Sequence, residues 1–205
     1  DVREECTANK ILFDDDRIVG VEYQDGEDNQ VSLMARFVID ASGQAAIISR
    51  LKGARRWDEN FRNLAVYGYF NGIARLPSPD QNNIFVESYA DGWIWNIPLK
   101  DGLSSVGAVV DAKKATKALK HQSIQEFFEN QISATSYNKE MTKIGEQVGH
   151  PTIVKDWSYM SEEMAGPGWA SAGDAACFID PLFSSGVHIA LMSGVLSSAY
   201  AVTSL

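Results

Sequence analysis

The stretch Trp169-Ala-Ser-Ala-Gly-Asp174-Ala-Ala-Cys-Phe-Ile-Asp180-Pro-Leu-Phe-Ser-Ser-Gly186-Val-His-Ile-Ala-Leu-Met-Ser-Gly194 decides the fold. It opens with a short apolar run, Trp169 to Ala172, of the kind that forms a buried strand. Gly173 and Asp174 break the run as turn residues. Pro181 has no N–H to give to a ladder, so the segment to Phe183 reads as an irregular loop. Ser184 or Ser185 can cap a helix, and from Gly186 small and apolar residues continue helically to Leu205. Strand, loop and helix in this order aim the helix N-terminus back over the loop. Free N–H groups and a partial positive charge at such an end suit an anionic or electron-rich group. Asp174, at the end of the strand, is placed to accept hydrogen bonds from the hydroxyls of a ligand.

Around this stretch lies a chain of 205 residues, enough for one large domain or two intimate ones. Its formal net charge of -9 argues against a nucleic-acid-binding surface. Cys6 and Cys177 stand far apart and outside any CxxC pattern, which argues against a disulfide framework or a zinc site and fits a reducing cytoplasm. His121, His150 and His188 do not cluster, and Asp14, Asp15 and Asp16 lack the spaced ligands of a calcium loop, so no metal is expected. No uninterrupted apolar run reaches the roughly 18 residues of a membrane span, and no span is expected. No G-x-G-x-x-G follows a first strand; Gly166-Pro-Gly168 comes nearest, but it precedes a strand. A dinucleotide-binding fold needs that turn for the pyrophosphate. The expectation is therefore an internal-to-C-terminal piece of a longer protein, inactive alone.

In chain order, residues 4–13, 17–23 and 31–39 read as three short strands joined by two turns, an antiparallel meander. Ala35-Arg-Phe-Val-Ile-Asp40-Ala-Ser-Gly43 is a buried strand ending at Asp40, then a tight turn through Ser42 and Gly43, with a short helix from Gln44 to Leu51. Residues 64–70, 84–89, 92–98 and 104–110 are four further strands, separated by Pro-, Asp- and Gly-rich turns. An antiparallel sheet of this kind can bury one face against a neighbouring domain and leave the other for a substrate. Residues 112–133 read as helical with Ser123 as a cap, residues 138–147 as a weaker helix, and residues 150–159 as a strand returning to the sheet. The run Lys113-Lys-Ala-Thr-Lys117-Ala-Leu-Lys120 is a solvated helix face or a contact for an acidic carrier protein. In Trp93-Ile94-Trp95-Asn96-Ile97-Pro98 the two indoles and Ile97 share one face of a strand.

Three segments together resemble the FAD-dependent monooxygenases and halogenases. Gly173-Asp174 through Asp180-Pro181 to Ser185-Gly186 looks like their second flavin-binding motif, and Ala35 to Gly43 resembles their "ARxVIDASG" segment. Trp93 to Pro98 matches W-x-W-x-I-P, which separates flavin-dependent halogenases from related monooxygenases. The resemblance implies an α+β (α/β) fold like that of p-hydroxybenzoate hydroxylase. Part of an FAD-binding Rossmann-like domain would occupy residues 1–62 and 161–205. An inserted antiparallel substrate-binding sheet would occupy residues 63–160.

The same resemblance implies FAD as cofactor. Asp174 would hold the ribityl chain, Gly186 and Val187 would lie near the isoalloxazine, and Asp40, Ser42 and Gly43 would lie near the phosphates and ribose. Val2 would lie near the adenine, and Gly173 and Pro181 would complete the binding set. Ser185 and Gly186 would hold halide, Phe183 would stack on substrate, and Trp93 and Trp95 would wall the site against oxygenation. In the family a separate flavin reductase supplies reduced FAD, halide is oxidised to hypohalous acid, and an upstream lysine delivers the halogen; no lysine of this chain is given that role. Phe183 stands where tryptophan halogenases carry Glu, which implies an electron-rich phenol or pyrrole, free or tethered to a carrier protein, and not free tryptophan. The alternatives are a flavin aromatic hydroxylase, a geranylgeranyl-reductase-like oxidoreductase, and a non-catalytic interaction domain that keeps the fold. A Ser-His hydrolase is remote, since no G-x-S-x-G elbow exists.

Overall fold

The computed structural model describes residues 1–155 and 157–205. The chain divides into two compact units, one of residues 1–58 with 158–205 and one of residues 59–157.

The first unit begins with the meander β1 (Thr7–Asp14), β2 (Arg17–Gln24) and β3 (Gln30–Met34), paired in that order. The expected third strand is two strands. After Met34 the chain leaves the meander, and β4 (Val38–Asp40) runs parallel to β13 (Trp169–Ser171). The break is fixed by two bonds: the Ala35 N–H donates back to Val19, and the Val38 N–H donates forward to Gly168. The expected helix from Gln44 is also split. A 3-10 turn at Gly43–Ala45 precedes α1 (Ile47–Leu51), with Ala46 left-handed between them. Residues β5 (Arg55–Trp57), β11 (Tyr159–Ser161) and β14 (Cys177–Phe178) make a small antiparallel sheet, and β12 (Ala165–Gly166) forms a hairpin with β13. α5 (Gly186–Ser204) closes the chain. Ile11, Ile18, Ile48 and Trp169 form the buried centre of this unit.

The second unit is a five-stranded antiparallel sheet in the order β10-β6-β9-β8-β7. Its strands are β6 (Asn63–Asn71), β7 (Phe85–Tyr89), β8 (Gly92–Pro98), β9 (Leu103–Asp111) and β10 (Glu146–Lys155). One continuous helix over 112–133 does not form. α2 (Ala112–Ala118) ends, and a capping box restarts the chain as α3 (Ile124–Ser133): Ser123 Oγ accepts the Glu126 N–H while the Glu126 carboxylate accepts the Ser123 N–H. α4 (Tyr137–Thr142) is shorter than expected, since the chain is already in β10 by Glu146. Its N-terminal N–H groups at Ser136, Tyr137 and Asn138 are taken up by the Glu87 carboxylate from β7.

Leu64, Val66, Ile94, Val106 and Ala108 point to one face of the sheet and pack with Phe127, Phe128 and Ile132 of α3. Each of the two buried phenylalanines stabilises this layer by roughly 1.5–3 kcal/mol. The helices that cover this face thus come from within the unit itself.

The expected strand over 150–159 includes Asp156, which lies outside the described residues. Lys155 ends β10, and Tyr159 belongs to β11 of the first unit, because Tyr159 pairs with Trp57 and Phe178. That pairing draws the boundaries to 58/59 and 157/158, in place of 62/63 and 160/161.

Candidate functional site

The parallel strands β4 and β13 end side by side at Asp40 and Ser171, and each is followed by a 3-10 turn, Gly43–Ala45 and Gly173–Ala175. The two turns pack against one another, and α5 packs on the second. The Gly173 N–H donates to Ser193 Oγ of α5 at 2.7 Å.

Asp40 and Asp174 close this arrangement with opposite chemistry. Asp40 is buried, and its carboxylate accepts the N–H of Ser42 at 3.0 Å and of Ile48 at 2.8 Å. Its oxygens are spent on shaping the turn, so it sets the path of the backbone at Ser42 and Gly43. The Ser42 hydroxyl is also engaged, accepting the Ile47 N–H. Asp174 is half-buried, and its carboxylate has no hydrogen-bond partner among the described residues. Burial pushes that carboxyl above its ordinary range. A desolvated, unpartnered acceptor is what a ligand hydroxyl would satisfy.

The expected cap of α5 is absent. Ser185 takes the N-cap position with helical φ and ψ and makes no side-chain cap, and Ser184 is left-handed at φ 52°. Asp180 instead caps the preceding 3-10 turn Pro181–Phe183, accepting the Leu182 N–H at 2.9 Å. The backbone N–H groups of Ser185, Gly186, Val187 and His188 are left without acceptors among the described residues. Gly186 has a steric reason: a Cβ there would meet the Phe178 ring at 2.9 Å. Free donors of a 19-residue helix thus sit at the end of the run that begins with Asp174.

Asp174 thus offers an acceptor to a ligand hydroxyl, and the start of α5 offers donors to an anionic or electron-rich group. Val2 stands before β1 and is 87% exposed, so the strand expected to start near it begins only at Thr7. Phe183 is 87% exposed, so packing within the chain does not hold its ring. Gly166 and Gly168 flank a hairpin turn between β12 and β13 and form no phosphate loop.

Trp93 and Trp95 belong to the second unit, on the sheet face opposite α3. Their rings lie 5.9 Å apart at 50°, and Tyr67 extends the row at 6.2 Å from Trp95. Trp95 Nε1–H donates to Ser105 Oγ at 3.2 Å.

The model of the family described as tryptophan halogenase matches residues 1–202. The chain belongs to the flavin-dependent tryptophan halogenase family. It is 33% identical to the tryptophan 2-halogenase of Chondromyces crocatus, over 97% of this chain and 38% of that protein. It is also 33% identical to the 1H-pyrrole-2-carbonyl-[peptidyl-carrier protein] chlorinase of Pseudomonas fluorescens, over 82% of this chain and 38% of that protein. The solved structure of the myxobacterial chondrochloren halogenase, titled a new variant of FAD-dependent halogenases, superposes with a TM-score of 0.90 at 41% identity, covering 96% of this chain and 46% of that one. The chain therefore spans less than half the length of these halogenases.

The halogenase match and the mixed sheets and helices confirm the α+β class. The expectation of no membrane span meets one candidate, which passes by length and composition alone. α5 is long and apolar enough to cross a membrane by length and composition, because its interspersed Ser, Gly and Ala carry no charge although they interrupt the apolar run. Residues that sequence reasoning missed are Arg55 and Tyr159 behind the turns, and Ser105 and Gly107 beneath Trp95. No local pattern marks the first pair, whose partners lie more than a hundred residues apart in the chain.

Proposed function

We propose that this chain forms the flavin-contacting and substrate-facing parts of an FAD-dependent halogenase acting on an electron-rich aromatic compound. The observation that carries the reading is the unpartnered, half-buried Asp174 carboxylate, in a chain whose α5 also begins with N–H groups free of acceptors among the described residues. Asp174 would accept the ribityl hydroxyls. Gly186 and Val187 would present backbone to the ring system, and Ser42 and Gly43, held by Asp40, would let the phosphates approach. Val2, Gly173 and Pro181 complete the set. Bound FAD, once reduced, supplies the oxidising power from dioxygen that converts halide into the halogenating agent. The chain's own part is to orient that group, to hold halide and to wall the substrate with Trp93 and Trp95. The unit of residues 59–157 is read as the substrate domain. The apolar α5 is read as a packing helix of a cytoplasmic protein and not as a membrane span, and a separate flavin reductase is read as partner.

Halide is expected at the N–H groups of Ser185 and Gly186, because a helix N-terminus stabilises an anion without a cationic side chain. Crystals of the protein soaked in bromide should give an anomalous peak there, and a peak only at surface lysines would remove the assignment.

For the substrate, Phe183 supports a phenol or pyrrole, free or carrier-tethered. A Phe ring can stack on a neutral aromatic but cannot accept from an indole N–H or balance an ammonium group. Relatives named for tryptophan and for a carrier-bound pyrrole are equally identical to this chain, so overall identity does not choose between them. Incubation of the full-length enzyme with a flavin reductase and a panel of tryptophan, phenols, pyrroles and carrier-tethered pyrrole, with and without bromide, tests both points. Brominated phenol or pyrrole is expected. Bromination of tryptophan alone would retire the Phe183 argument, and hydroxylated products in both arms would retire the halogenase reading in favour of a hydroxylase.

A further inference from the structure

The two turns after β4 and β13 are tied together from behind. The carbonyl of Gln44, in the first turn, accepts a hydrogen bond from the Arg55 guanidinium at 2.8 Å. The carbonyl of Asp174, in the second, accepts one from the Tyr159 hydroxyl. Arg55 and Tyr159 are themselves joined: the guanidinium lies 3.9 Å above the centre of the Tyr159 ring. Their strands pair so that Ser161 faces Arg55 and Tyr159 faces Trp57, which makes Arg55 and Tyr159 diagonal neighbours on one sheet face. Trp57 closes the far side, edge-on to Tyr159 at 5.5 Å and 5.3 Å from the guanidinium. A continuous path thus runs from the Gln44 carbonyl through Arg55 and Tyr159 to the Asp174 carbonyl.

The guanidinium is an expensive choice for this place. Arg55 Nε is buried without an acceptor among the described residues, and a buried donor left unmade costs stability. An apolar side chain would serve a three-residue strand better if packing were its whole purpose. Burial also keeps the Tyr159 phenol above its ordinary range, against the pull of Arg55, so the hydroxyl remains a donor through neutral pH.

We propose that Arg55 and Tyr159 are positioning residues that lock the spacing of the turns 43–45 and 173–175 and thereby set the affinity for a cofactor lying across both. The proposal rests on the FAD reading above. The pair acts through the carbonyls of Gln44 and Asp174. Because Tyr159 fixes the Asp174 backbone, it also fixes the direction in which the carboxylate of the same residue points. Breaking the stack releases both turns, since it joins the two ties.

Tyr159→Phe removes only the hydroxyl and leaves the ring under the guanidinium. Arg55→Met removes the charge and the donors, and Arg55→Lys restores the charge over the ring without the planar fork that reaches Gln44. Three quantities are measured on the protein: the FAD dissociation constant, the melting temperature without FAD, and backbone hydrogen exchange at residues 43–46 and 173–176. Tyr159→Phe is expected to weaken FAD binding roughly 5- to 20-fold while the melting temperature stays within about 2 °C. Exchange is expected to rise at 173–176 in Tyr159→Phe, and in both turns in Arg55→Met, where the stack itself is lost. Arg55→Lys is expected to fall between wild type and Arg55→Met. Unchanged FAD affinity in Tyr159→Phe, or exchange in Arg55→Met that rises only at 43–46, overturns the proposal. If wild type itself fails to bind FAD, the functional reading falls, and the exchange data still decide whether the turns are coupled.

Discussion

Replacing Asp174 by Ala is expected to raise the FAD dissociation constant roughly 10- to 100-fold, the equivalent of one charge-assisted hydrogen-bond site at about 1.5–3 kcal/mol. The same position should behave in the opposite way toward the protein without cofactor. Burial raises the Asp174 carboxyl above its ordinary value of 3.8. A carboxyl whose pKa is higher folded than unfolded favours the fold while it is protonated. That contribution is complete below the unfolded value and is lost as pH rises through the folded one. At neutral pH the ionised, half-desolvated carboxylate therefore works against the apo fold. Asp174→Asn, which removes the charge and keeps the shape, should raise the apo melting temperature at pH 7 and lose that advantage near pH 4. A side chain that weakens the empty protein and strengthens the loaded one is the signature of a binding group. Flavin titration by fluorescence, beside melting curves at the two pH values, separates the outcomes. An unchanged dissociation constant for Asp174→Ala would remove Asp174 from the site, whatever the melting curves do.

The sequence carried this residue because its surroundings are local. Trp169 to Gly186 passes from strand to turn to helix within eighteen residues, and glycine, aspartate and proline mark each change of direction. Four of the five strands of the second unit, β6 to β9, were legible for a related reason. Pro-, Asp- and Gly-rich turns bound each apolar run, although the core face was not legible: Val106 to Val110 are buried on both faces of β9, and Ile94 of β8, not the indoles on either side of it, packs in the core. What stayed hidden depends on contacts made at a distance or on single side chains. Arg55-Arg56-Trp57 has no apolar alternation, and its strand exists because Tyr159–Ser161, about a hundred residues later, pairs with it. The break at Ala46 is invisible in propensity, since alanine favours helix. The Asp40 carboxylate accepts from both Ser42 and Ile48 and bends the chain between them. The long helix over 112–133 could have been divided, because Ser123-x-x-Glu126 is a capping box in the letters themselves. The α5 cap failed where a side-chain preference was asked to decide a backbone geometry that Asp180 and Pro181 set upstream.

The largest effect in the second unit is expected at Gly107, two residues beyond the hydroxyl that holds the Trp95 indole. A Cβ at this position would stand 2.2 Å from the Trp95 ring, with two further ring atoms within 2.6 Å. No rotamer of a larger residue avoids this, because the overlap begins at the first side-chain atom. Trp95 must therefore leave its place across β9 as soon as Gly107 becomes Ala, and it would give up its bond to Ser105 and its contact with Tyr67. Overpacking of this kind costs about 1–3 kcal/mol, so Gly107→Ala should lower the melting temperature without preventing folding. Its second consequence concerns the wall. Trp93 and Trp95 lie close enough for their indoles to couple electronically, and the exciton feature of that pair in circular dichroism should shrink in Gly107→Ala. In Ser105→Ala, which removes only the hydroxyl, the feature should persist. If these indoles separate halogenation from competing oxidation, the displaced ring should also lower the halogenated product formed per dioxygen consumed by about 10-fold or more, the equivalent of 1.4 kcal/mol in the partition. An unaltered couplet in Gly107→Ala would mean that the strand shifts and the indole does not. An altered couplet with unaltered product yield would leave Trp95 as packing and take the wall role from it.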